Sequence, residues 1–316
     1  MPPRSPLPLR HGLSAAWVRT PDAGPGDAHR TTMGAWLLER LGPGVDVDAL
    51  LRQGRFVGED GRVVEGGAPY RACTFVWFHR DLPDEVPVPG EVVVLHRDER
   101  LVVVDKPAFL STIPRGRHVL QSVVVRMRDE LGLPELSPLH RLDRVTSGVL
   151  VLATERRWRA PYQRLFETGA MTKTYLALAP LRDDLALPVW VRNHIAKTPF
   201  GVRAHVVPDA PVNAETLVEL DSREGDLGLY RLTPRTGRTH QLRIHLWSLG
   251  IPIVDDPLYP VDRHVALDDF SAPLPLLAST LTFTDPVDGV ARRFVSGLRL
   301  LLEAEPATGE TWRLAR

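Results

Sequence analysis

The amino-acid sequence predicts an α+β protein, with a mixed, mostly antiparallel sheet flanked by helices and a small α/β module at the N-terminus. Short apolar runs and helix-period segments alternate irregularly along the chain, which favours this class over a regular doubly wound sheet. The runs Val92 to Leu95 and Leu101 to Val104 flank a polar turn, a pattern typical of a β-hairpin. Gly61, Gly66 and Gly67 lack dinucleotide or Walker spacing, so no glycine-rich phosphate loop is expected.

The first 90 residues divide into three segments. Residues 1–31 are rich in Pro, Gly and Arg without apolar periodicity, which indicates a flexible arm. Residues 32–80 place Trp36, Leu37 and Leu41 at helical spacing before strand-like pieces around Phe56 and Val63, which predicts a compact module. Residues 81–90 form an acidic linker, because their repeated prolines block both helix and strand pairing.

Residues 91–316 are expected to form the main domain, in which apolar runs predict strands and helical segments fall between some of them. Beyond the hairpin, the predicted strands are Gly148 to Ala153, Thr174 to Ala179, Glu215 to Leu220, Leu229 to Leu232 and Leu281 to Phe283. The predicted helices are Val119 to Leu131, Trp158 to Phe166 and His240 to Leu249.

The charge balance bears on nucleic-acid binding. The 316 residues include 39 lysines and arginines and 39 aspartates and glutamates, so the formal net charge is zero. A neutral protein is a less usual RNA binder, because neutralising phosphates normally requires a basic surface. The arginines nevertheless crowd two stretches that could form one basic face: Arg141, Arg144, Arg156, Arg157, Arg159 and Arg164, and then Arg231, Arg235, Arg238 and Arg243.

Cysteine usage and hydropathy bear on the compartment. Cys73 is the only cysteine, so an internal disulfide is excluded and a buried core thiol is expected. The apolar runs are far shorter than a bilayer span, and the N-terminus lacks the apolar core of a signal peptide. We therefore expect a cytoplasmic protein that does not bind membranes.

The segment His140 to Gly148 carries the most chemistry. It places Asp143 between Arg141 and Arg144 immediately before a buried apolar strand, and therefore at the rim of the sheet. Flanking arginines keep a carboxylate ionised, and such a carboxylate can act as a nucleophile or a base. From spacing alone, a surface salt-bridge cluster that caps the strand remains an equal alternative.

Two further segments are candidates for the same site. Tyr175 lies on the predicted strand and could stack on a base, although a tyrosine in a strand is more often half-buried packing. Arg238 lies where the helix of residues 240–249 begins, with Thr236 or Thr239 as its cap, and this positive helix end suits an anion. The alternative is a capped amphipathic helix with solvated arginines.

The histidines of this helix do not indicate a metal site. His240 and His245 are five residues apart and therefore lie on different helical faces. The chain also lacks a carboxylate at the position that a zincin would need. We expect no metal and no cofactor.

Taken together and in this order, the three segments closely resemble the motifs of the RluA-like pseudouridine synthases. His140 to Ala153 resembles the run with that family's catalytic aspartate, Met171 to Leu178 its Lys-x-Tyr strand, and Arg235 to Leu246 its Thr-Gly-Arg-x-His-Gln-[Ile/Leu]-Arg motif. The resemblance covers Glu91 to Gly289. It implies the pseudouridine synthase fold and RNA as the substrate.

The resemblance also implies roles for individual residues. Asp143 would be the catalytic carboxylate, Tyr175 would stack on the uracil and take the C5 proton, and Arg238 would pair with Asp143. Arg141 would move into the RNA stack where the target uridine is flipped out, a role that a planar guanidinium can fill. The other expected substrate contacts are His140, Leu142, Arg144, His240 and Leu242.

Three more segments resemble family features. Lys106-Pro107 matches an entry motif and is interpreted as framework. Ile251 to Tyr259 matches a Gly-Asp-Pro-x-Tyr segment, with Asp255 in place of the usual glycine, a change that bears on a local turn. Residues 32–80 are similar to an S4-like RNA-binding module but lack basic residues on the first helix, so a degenerate structural module is an equal alternative.

The sequence therefore predicts an RNA pseudouridine synthase that acts, as a monomer, on specific uridines of structured ribosomal or transfer RNA. The resemblance leaves open whether the aspartate attacks C1′ or removes a C2′ proton through a glycal. The main alternative is a non-catalytic RNA-binding protein that retains the fold, suggested by the neutral charge. A hydrolase that uses Asp143 with a histidine is disfavoured, because no nucleophile elbow or metal set is recognisable.

Overall fold

The structure, a computed structural model, describes residues 2–22, 32–82, 84–114, 116, 118–199, 201–302 and 312–315. It divides into two compact units, Met1–Asp84 and Glu85–Arg316. The division falls inside the segment that was expected to be a linker.

The first unit is a three-stranded antiparallel sheet packed with two helices. Its elements are β1 (Ala16–Arg19), α1 (Met33–Leu41), a 3-10 turn (Gly42–Gly44), α2 (Val47–Arg52), β2 (Val57–Gly58) and β3 (Phe75–Phe78). The strands lie in the order β1-β3-β2. Both helices have side-chain caps, since Thr32 accepts from Ala35 N and Asp46 accepts from Ala49 N. Trp36, Leu37 and Phe56 are buried in the core of the unit.

Two expectations for this unit are corrected. The predicted arm contributes β1, whose Trp17 lies opposite Trp77 of β3 and whose Val18 is buried. This strand is absent from the prediction because its partner lies about sixty residues away and the arm has no periodicity of its own; residues 23–31 lie outside the described residues. Cys73, expected in the core, is exposed, because it lies in a turn with a φ of 54° and its Sγ donates to Asp22.

The second unit holds most of the chain. Its helices are α3 (Val123–Leu131), α4 (Arg156–Glu167) and α5 (Gln241–Ser248). Its strands are β4 (Val93–Arg97), β5 (Leu101–Lys106), β6 (Ser137–Pro138), β7 (Ser147–Ala153), β8 (Thr172–Pro180), β9 (Val189–Asn193), β10 (Ile195–Lys197), β11 (Ala204–Val206), β12 (Ala214–Glu224), β13 (Leu227–Pro234), β14 (Leu276–Thr284), β15 (Ala291–Val295), β16 (Arg299–Leu302) and β17 (Trp312–Ala315).

Ten of these strands form one sheet in the order β4-β5-β7-β14-β8-β13-β12-β9, with β15 beside β14 and β6 beside β7. Within the described part of this sheet, the pairing of β7 with β14 is parallel and the others are antiparallel. The predicted hairpin is confirmed, with Val94 opposite Val104. The structure is therefore the mixed, mostly antiparallel α+β sheet that the sequence predicts.

Helices cover both faces of this sheet. Val104 of β5 packs with Met127 of α3 and Leu246 of α5 in one apolar cluster. The neighbouring Val103 points the other way and packs with Tyr162 of α4, as side-chain alternation along a strand requires. The loop between β6 and β7 carries Asp143 and leads directly into β7.

Among the described residues, no helix has both the length and the apolar character needed to cross a membrane.

Candidate active site

The loop that carries Asp143 is fixed by a buried threonine. Thr112 Oγ1 donates to Leu142 O at 2.8 Å and accepts from Leu142 N at 3.1 Å. The carbonyl of Asp143 then accepts from Thr146 N at 3.1 Å, which closes a turn before β7. The backbone of Leu142 and the carbonyl of Asp143 therefore have hydrogen-bond partners inside the protein. These bonds fix the backbone from which the Asp143 side chain projects.

Lys106 anchors the other side of the same loop. Its ammonium is fully buried and donates to Arg144 O at 3.1 Å, Leu110 O at 2.8 Å and Pro107 O at 2.9 Å. Burial lowers the pKa of Lys106 to about 7, with Asp143 opposing that change. Three carbonyl acceptors require all three ammonium protons, so this geometry favours the charged lysine. Lys106 therefore supports the loop and leaves no donor for a substrate.

The guanidinium that approaches Asp143 belongs to Arg243. Its Nη1 lies 3.8 Å from Asp143 Oδ2. Its Nε donates to Asp256 Oδ2 at 2.7 Å and its Nη2 donates to Asp256 Oδ1, while the guanidinium lies over the Tyr259 ring at 5.2 Å. Burial opposes the charge of Arg243, but the hydrogen bonds to Asp256 raise its pKa. A buried, permanently charged group is thus aimed at the candidate carboxylate.

The expected pairing of Arg238 with Asp143 is corrected by this geometry. Arg238 is exposed, and its Nε donates to Asn213 O at 3.1 Å. Arg238 precedes the helix, whereas Arg243 is the third residue of α5. Side chains on a helix tilt toward its N-terminus, and Asp143 lies at that end. Arg243, which the charge pattern placed on a basic face, is only 2% exposed.

The start of α5 also differs from the expected threonine cap. His240 occupies the cap position with a φ of 56°, and its side chain makes no capping bond. Instead, Gln241 Oε1 accepts from Arg238 N at 2.9 Å and from Thr236 Oγ1 at 2.8 Å. The left-handed backbone at His240, a conformation in which histidine is enriched, turns its ring toward Asp143.

His240 is the second group beside the carboxylate. Its Nε2 lies 4.0 Å from Asp143 Oδ2, and its Nδ1 lies 2.9 Å from Tyr259 Oη. Burial lowers the pKa of His240 to about 4, against the opposing charge of Asp143. The imidazole is therefore neutral at physiological pH.

Tyr175 and two leucines form the apolar side of the site. Tyr175, Leu142 and Leu242 are each at most 9% exposed and belong to one apolar cluster. Burial, and then the charge of Asp143, raises the pKa of Tyr175, so its phenol is protonated at neutral pH. Asp143 itself is 33% exposed, which leaves it accessible from solvent while its neighbours are buried.

The remaining predicted substrate contacts separate into three kinds. Arg141 is exposed, and the described residues show no hydrogen bond or ion pair to it. Arg144 lies over the Phe109 ring at 5.7 Å and donates to Leu267 O at 3.2 Å. His140 is turned into the protein, where Nε2 accepts from Val151 N at 3.2 Å and the ring packs on Phe166. Of the predicted set, His240 is the residue with a contact to the Asp143 carboxylate among the described residues, whereas the contacts of His140, Arg144 and Arg238 are with other groups.

Sequence reasoning missed Arg243, Asp256, Thr112 and Tyr259 as parts of the site. The signal for the first two was present, because Arg243 ends the Arg238-containing motif and Asp256 lies in the segment after α5. Asp255, which replaces a glycine, has a φ of 54°. Aspartate tolerates this left-handed conformation better than most residues, so the turn that presents Asp256 is kept.

Comparisons with known proteins identify the family to which the chain is similar. A sequence profile of the family described as RNA pseudouridylate synthase matches residues 100–248, a range that includes Asp143, Tyr175 and Arg243. The chain is 31% identical over 210 residues to the dual-specificity RNA pseudouridine synthase RluA of Yersinia pestis, covering 64% of this chain and 97% of that one. It is 33% identical over 210 residues to tRNA pseudouridine synthase C of Vibrio vulnificus, covering 61% and 85%.

An uncharacterised RNA pseudouridine synthase of Synechocystis is 32% identical over 203 residues, which cover 63% of this chain and 69% of that protein. Among solved structures, human RNA pseudouridylate synthase domain containing 1 superposes with a TM-score of 0.52 at 25% identity, covering 66% of this chain and 85% of that one. Human RNA pseudouridylate synthase domain containing 4 gives 0.50 at 27% identity, with 64% and 87% coverage.

Proposed function

The chain belongs to the RNA pseudouridine synthase family, and we propose that Asp143 is the carboxylate with which it converts particular uridines of structured ribosomal or transfer RNA into pseudouridine. Relatives with the names RluA and tRNA pseudouridine synthase C support an RNA substrate of this kind. We further propose that the enzyme works as a cytoplasmic monomer.

One observation carries the assignment of Asp143. It is the carboxylate on which the Arg243 guanidinium and the His240 ring converge, at 3.8 and 4.0 Å, and its charge acts on the buried phenol of Tyr175. These groups come from β8, α5 and the loop before β7, which are distant in sequence. A surface salt-bridge cluster would not be backed by a wall of buried leucines, so this arrangement favours catalysis over the capping alternative.

Asp143 acts on the ribosyl unit of the flipped uridine. Either its oxygen attacks C1′ and the N1–C1′ bond breaks, or it removes the C2′ proton and a glycal forms as that bond breaks. In both routes the freed uracil turns and its C5 bonds to C1′: in the first the Asp143 oxygen leaves C1′ as this bond forms, and in the second Asp143 returns the proton to C2′. The C5 proton is then lost to a base. Leu142 and Leu242 keep water from the intermediate, which would otherwise be hydrolysed.

Tyr175 supplies a face for the uracil. A phenol ring stacks on any base, and its burial fixes it in place. Because the pKa of Tyr175 is raised, the phenol oxygen takes the C5 proton only if its own proton passes to a neighbouring base. We propose Asp143, whose charge contributes to the raised pKa of Tyr175, as the base that receives it.

Arg141 is proposed to enter the RNA stack. Its exposed guanidinium has no partner among the described residues, so moving it costs no internal bond. A planar guanidinium can stack where the flipped base was. Arg144, by contrast, is held by Phe109 and Leu267, and is proposed to contact RNA from a fixed position.

Residues 32–80 are proposed to be an S4-like module, with residues 91–316 as the catalytic domain. The helix, helix and strand sequence of the first unit supports this proposal. Its role in RNA binding and a purely structural role remain equal alternatives, because α1 carries a single basic residue, Arg40.

Tritium release from RNA labelled at uridine C5 tests the proposed function. The wild type should release tritium from total ribosomal or transfer RNA, and Asp143→Asn should release it at least about 10³-fold more slowly, because a neutral amide is neither nucleophile nor base. Asp183→Asn, at a 95% exposed side chain, is the matched control and should keep the wild-type rate. Release by Asp143→Asn at the wild-type rate would remove the assignment.

The same assay applies to Arg141→Ala. Activity on folded RNA should fall by about tenfold or more, because the gap left by the flipped base is no longer filled. Unchanged activity on folded RNA would contradict the proposed role of Arg141.

A further inference from the structure

The three-stranded sheet of the first unit has one face turned away from its helices. Side chains alternate between the two faces along a strand, and Val18 and Val76 pack in the core with α1 and α2. Trp17 of β1 and Trp77 of β3 lie opposite each other in the strand register. Both are therefore on the other face, which we call the outer face.

Aromatic rings line this outer face. The centroid of the Phe75 ring lies 5.4 Å from that of Trp17 and 5.7 Å from that of Trp77. Packing between strands accounts for Trp77, which is 1% exposed. Trp17, by contrast, is 47% exposed and belongs to β1, an edge strand of the described sheet. The aromatic row therefore opens to water along β1.

Arg19 adds a positive charge at this open edge. It is exposed, and its guanidinium lies 5.9 Å from the centroid of the Phe75 ring. A cavity of about 330 Å³ adjoins it, lined by Arg19, Pro21, Trp36, Glu39 and Arg40. The cavity thus holds two guanidiniums against one carboxylate, and β1 supplies a second cation beside the single basic residue of α1.

We propose that this open edge binds a single-stranded segment of RNA, with a base stacked on the Trp17 ring and its phosphate beside Arg19. Aromatic rings bind bases without sequence preference, and neighbouring cations hold the backbone. The centre of a protein–protein interface is instead depleted of charge, whereas Arg19 lies two residues from Trp17 on the same face. The RNA would meet the strands of the first unit rather than α1, where the S4-like comparison expects basic residues.

Two substitutions at Trp17 separate stacking from apolar contact. Trp17→Phe keeps an aromatic face, whereas Trp17→Leu keeps apolar surface without one. Fluorescence anisotropy of a labelled oligouridylate of about twelve nucleotides measures Kd for the full-length protein, with Asp143→Asn in every variant so that the RNA is not converted. We expect Trp17→Leu to raise Kd by about tenfold or more and Trp17→Phe by less than about threefold, because the phenylalanine still stacks.

Leu38→Ala is the matched control, because Leu38 is 46% exposed but lies on α1, and it should leave Kd unchanged. An unchanged Kd in Trp17→Leu would overturn the proposal. An equal loss in Trp17→Leu and Trp17→Phe would also overturn it, since the ring would then not act by stacking. Thermal melts of the variants exclude unfolding as the cause of weaker binding.

The salt dependence of binding tests Arg19. Arg19→Gln should reduce the slope of log Kd against log salt concentration by about 0.7, the value for one phosphate contact on a single strand. Arg62→Gln, at a side chain that is 86% exposed, is the control and should keep the wild-type slope. An unchanged slope in Arg19→Gln would overturn the proposed phosphate contact.

Crosslinking locates the RNA without any substitution at the outer face. An oligouridylate that contains 4-thiouridine is irradiated with the full-length protein, and the crosslinked peptides are identified by mass spectrometry. We expect crosslinks at Trp17 or Phe75, and crosslinks confined to Glu85–Arg316 would overturn the inference. Binding and crosslinking need no turnover, so they decide the inference even if Asp143 is not the catalytic carboxylate.

Discussion

Arg243 combines a structural bond and a contact with the candidate carboxylate in one side chain. The buried pair with Asp256 occupies Nε and Nη2, while Nη1 is directed at Asp143. Asp256 also accepts from Leu258 N at 2.8 Å and Tyr259 N at 3.1 Å. Since a buried charge is tolerated only when it is paired and hydrogen-bonded, the position of Arg243 is set by Asp256 before any substrate arrives.

A comparison of two arginines tests this arrangement. Arg243→Lys should lower kcat by about 10²-fold or more, because an ammonium cannot bond Asp256 through two nitrogens and reach Asp143 as well. Arg238→Lys should change kcat less than about fivefold, since the exposed Arg238 contacts Asn213 O rather than Asp143. Steady-state kinetics on folded RNA measure both, and a larger loss at Arg238 would restore the assignment made from the motif alone.

The sequence was sufficient to propose which residues form the site, but not which of them contact one another. Asp143, Tyr175 and Leu242 could be proposed as candidates because a motif names a residue without its surroundings. Whether Arg238 or Arg243 faces Asp143 depends on where α5 begins and on the φ of His240, which residue composition does not determine. His140 was expected to contact substrate, yet it bonds Val151 N, because a histidine next to a strand can also satisfy that strand's backbone.

At the scale of elements, the periodic segments were predicted best. The helix expected at residues 240–249 is α5 at Gln241–Ser248, and the one expected at 158–166 lies within α4, Arg156–Glu167. Both have apolar residues at helical spacing, which is a local signal. The strand β1 and the partner of β7 depend on residues far along the chain, so local patterns carry no signal for them.

At Gly148, a single added Cβ atom would interfere with the packing of β7 against β14. Its φ is 106°, and a Cβ there would lie 2.3 Å from Ala278 O of β14. Gly148→Ala should therefore lower the free energy of unfolding by at least about 2 kcal/mol, from strain and forced strand separation together. Gly169→Ala is the control, because Gly169 has a φ of 71° with open space around it, and it should cost only about 1 kcal/mol.

Urea denaturation of the two alanine variants measures both values. Equal losses for the two would mean that backbone strain alone, and not the approach of β14 to β7, explains the need for glycine at residue 148.

At the scale of the whole molecule, three buried histidines link stability to pH. Burial lowers the pKa of His140 to about 3 and those of His240 and His245 to about 4. The unfolded chain binds these protons at an ordinary pKa of about 6.5. Their stabilising contribution is therefore complete above about pH 6.5 and is lost as the pH falls toward the folded-state values.

The stability of the wild type should consequently decline between about pH 6.5 and pH 4.5. Over this pH range, His140→Gln should lose roughly 2–3 kcal/mol less of its free energy of unfolding than the wild type does. A glutamine oxygen can still accept from Val151 N, and a glutamine does not titrate. His264→Gln, at a side chain that is 87% exposed, should leave the slope unchanged. Urea unfolding at pH 7.5, 6 and 4.5 checks this, and an unaltered slope in His140→Gln would show that another group causes the acid sensitivity.

The placement of β14 between β7 and β8 has a consequence for synthesis on the ribosome. The strands β7, which follows Asp143, and β8, which carries Tyr175, are translated more than ninety residues before β14, which separates them. A nascent polypeptide can therefore contain all of the proposed site residues before the strand that sets the spacing between β7 and β8 has been made. The late synthesis of β14 therefore determines when the proposed active site can form. That point comes only after residues 276–284 have left the exit tunnel.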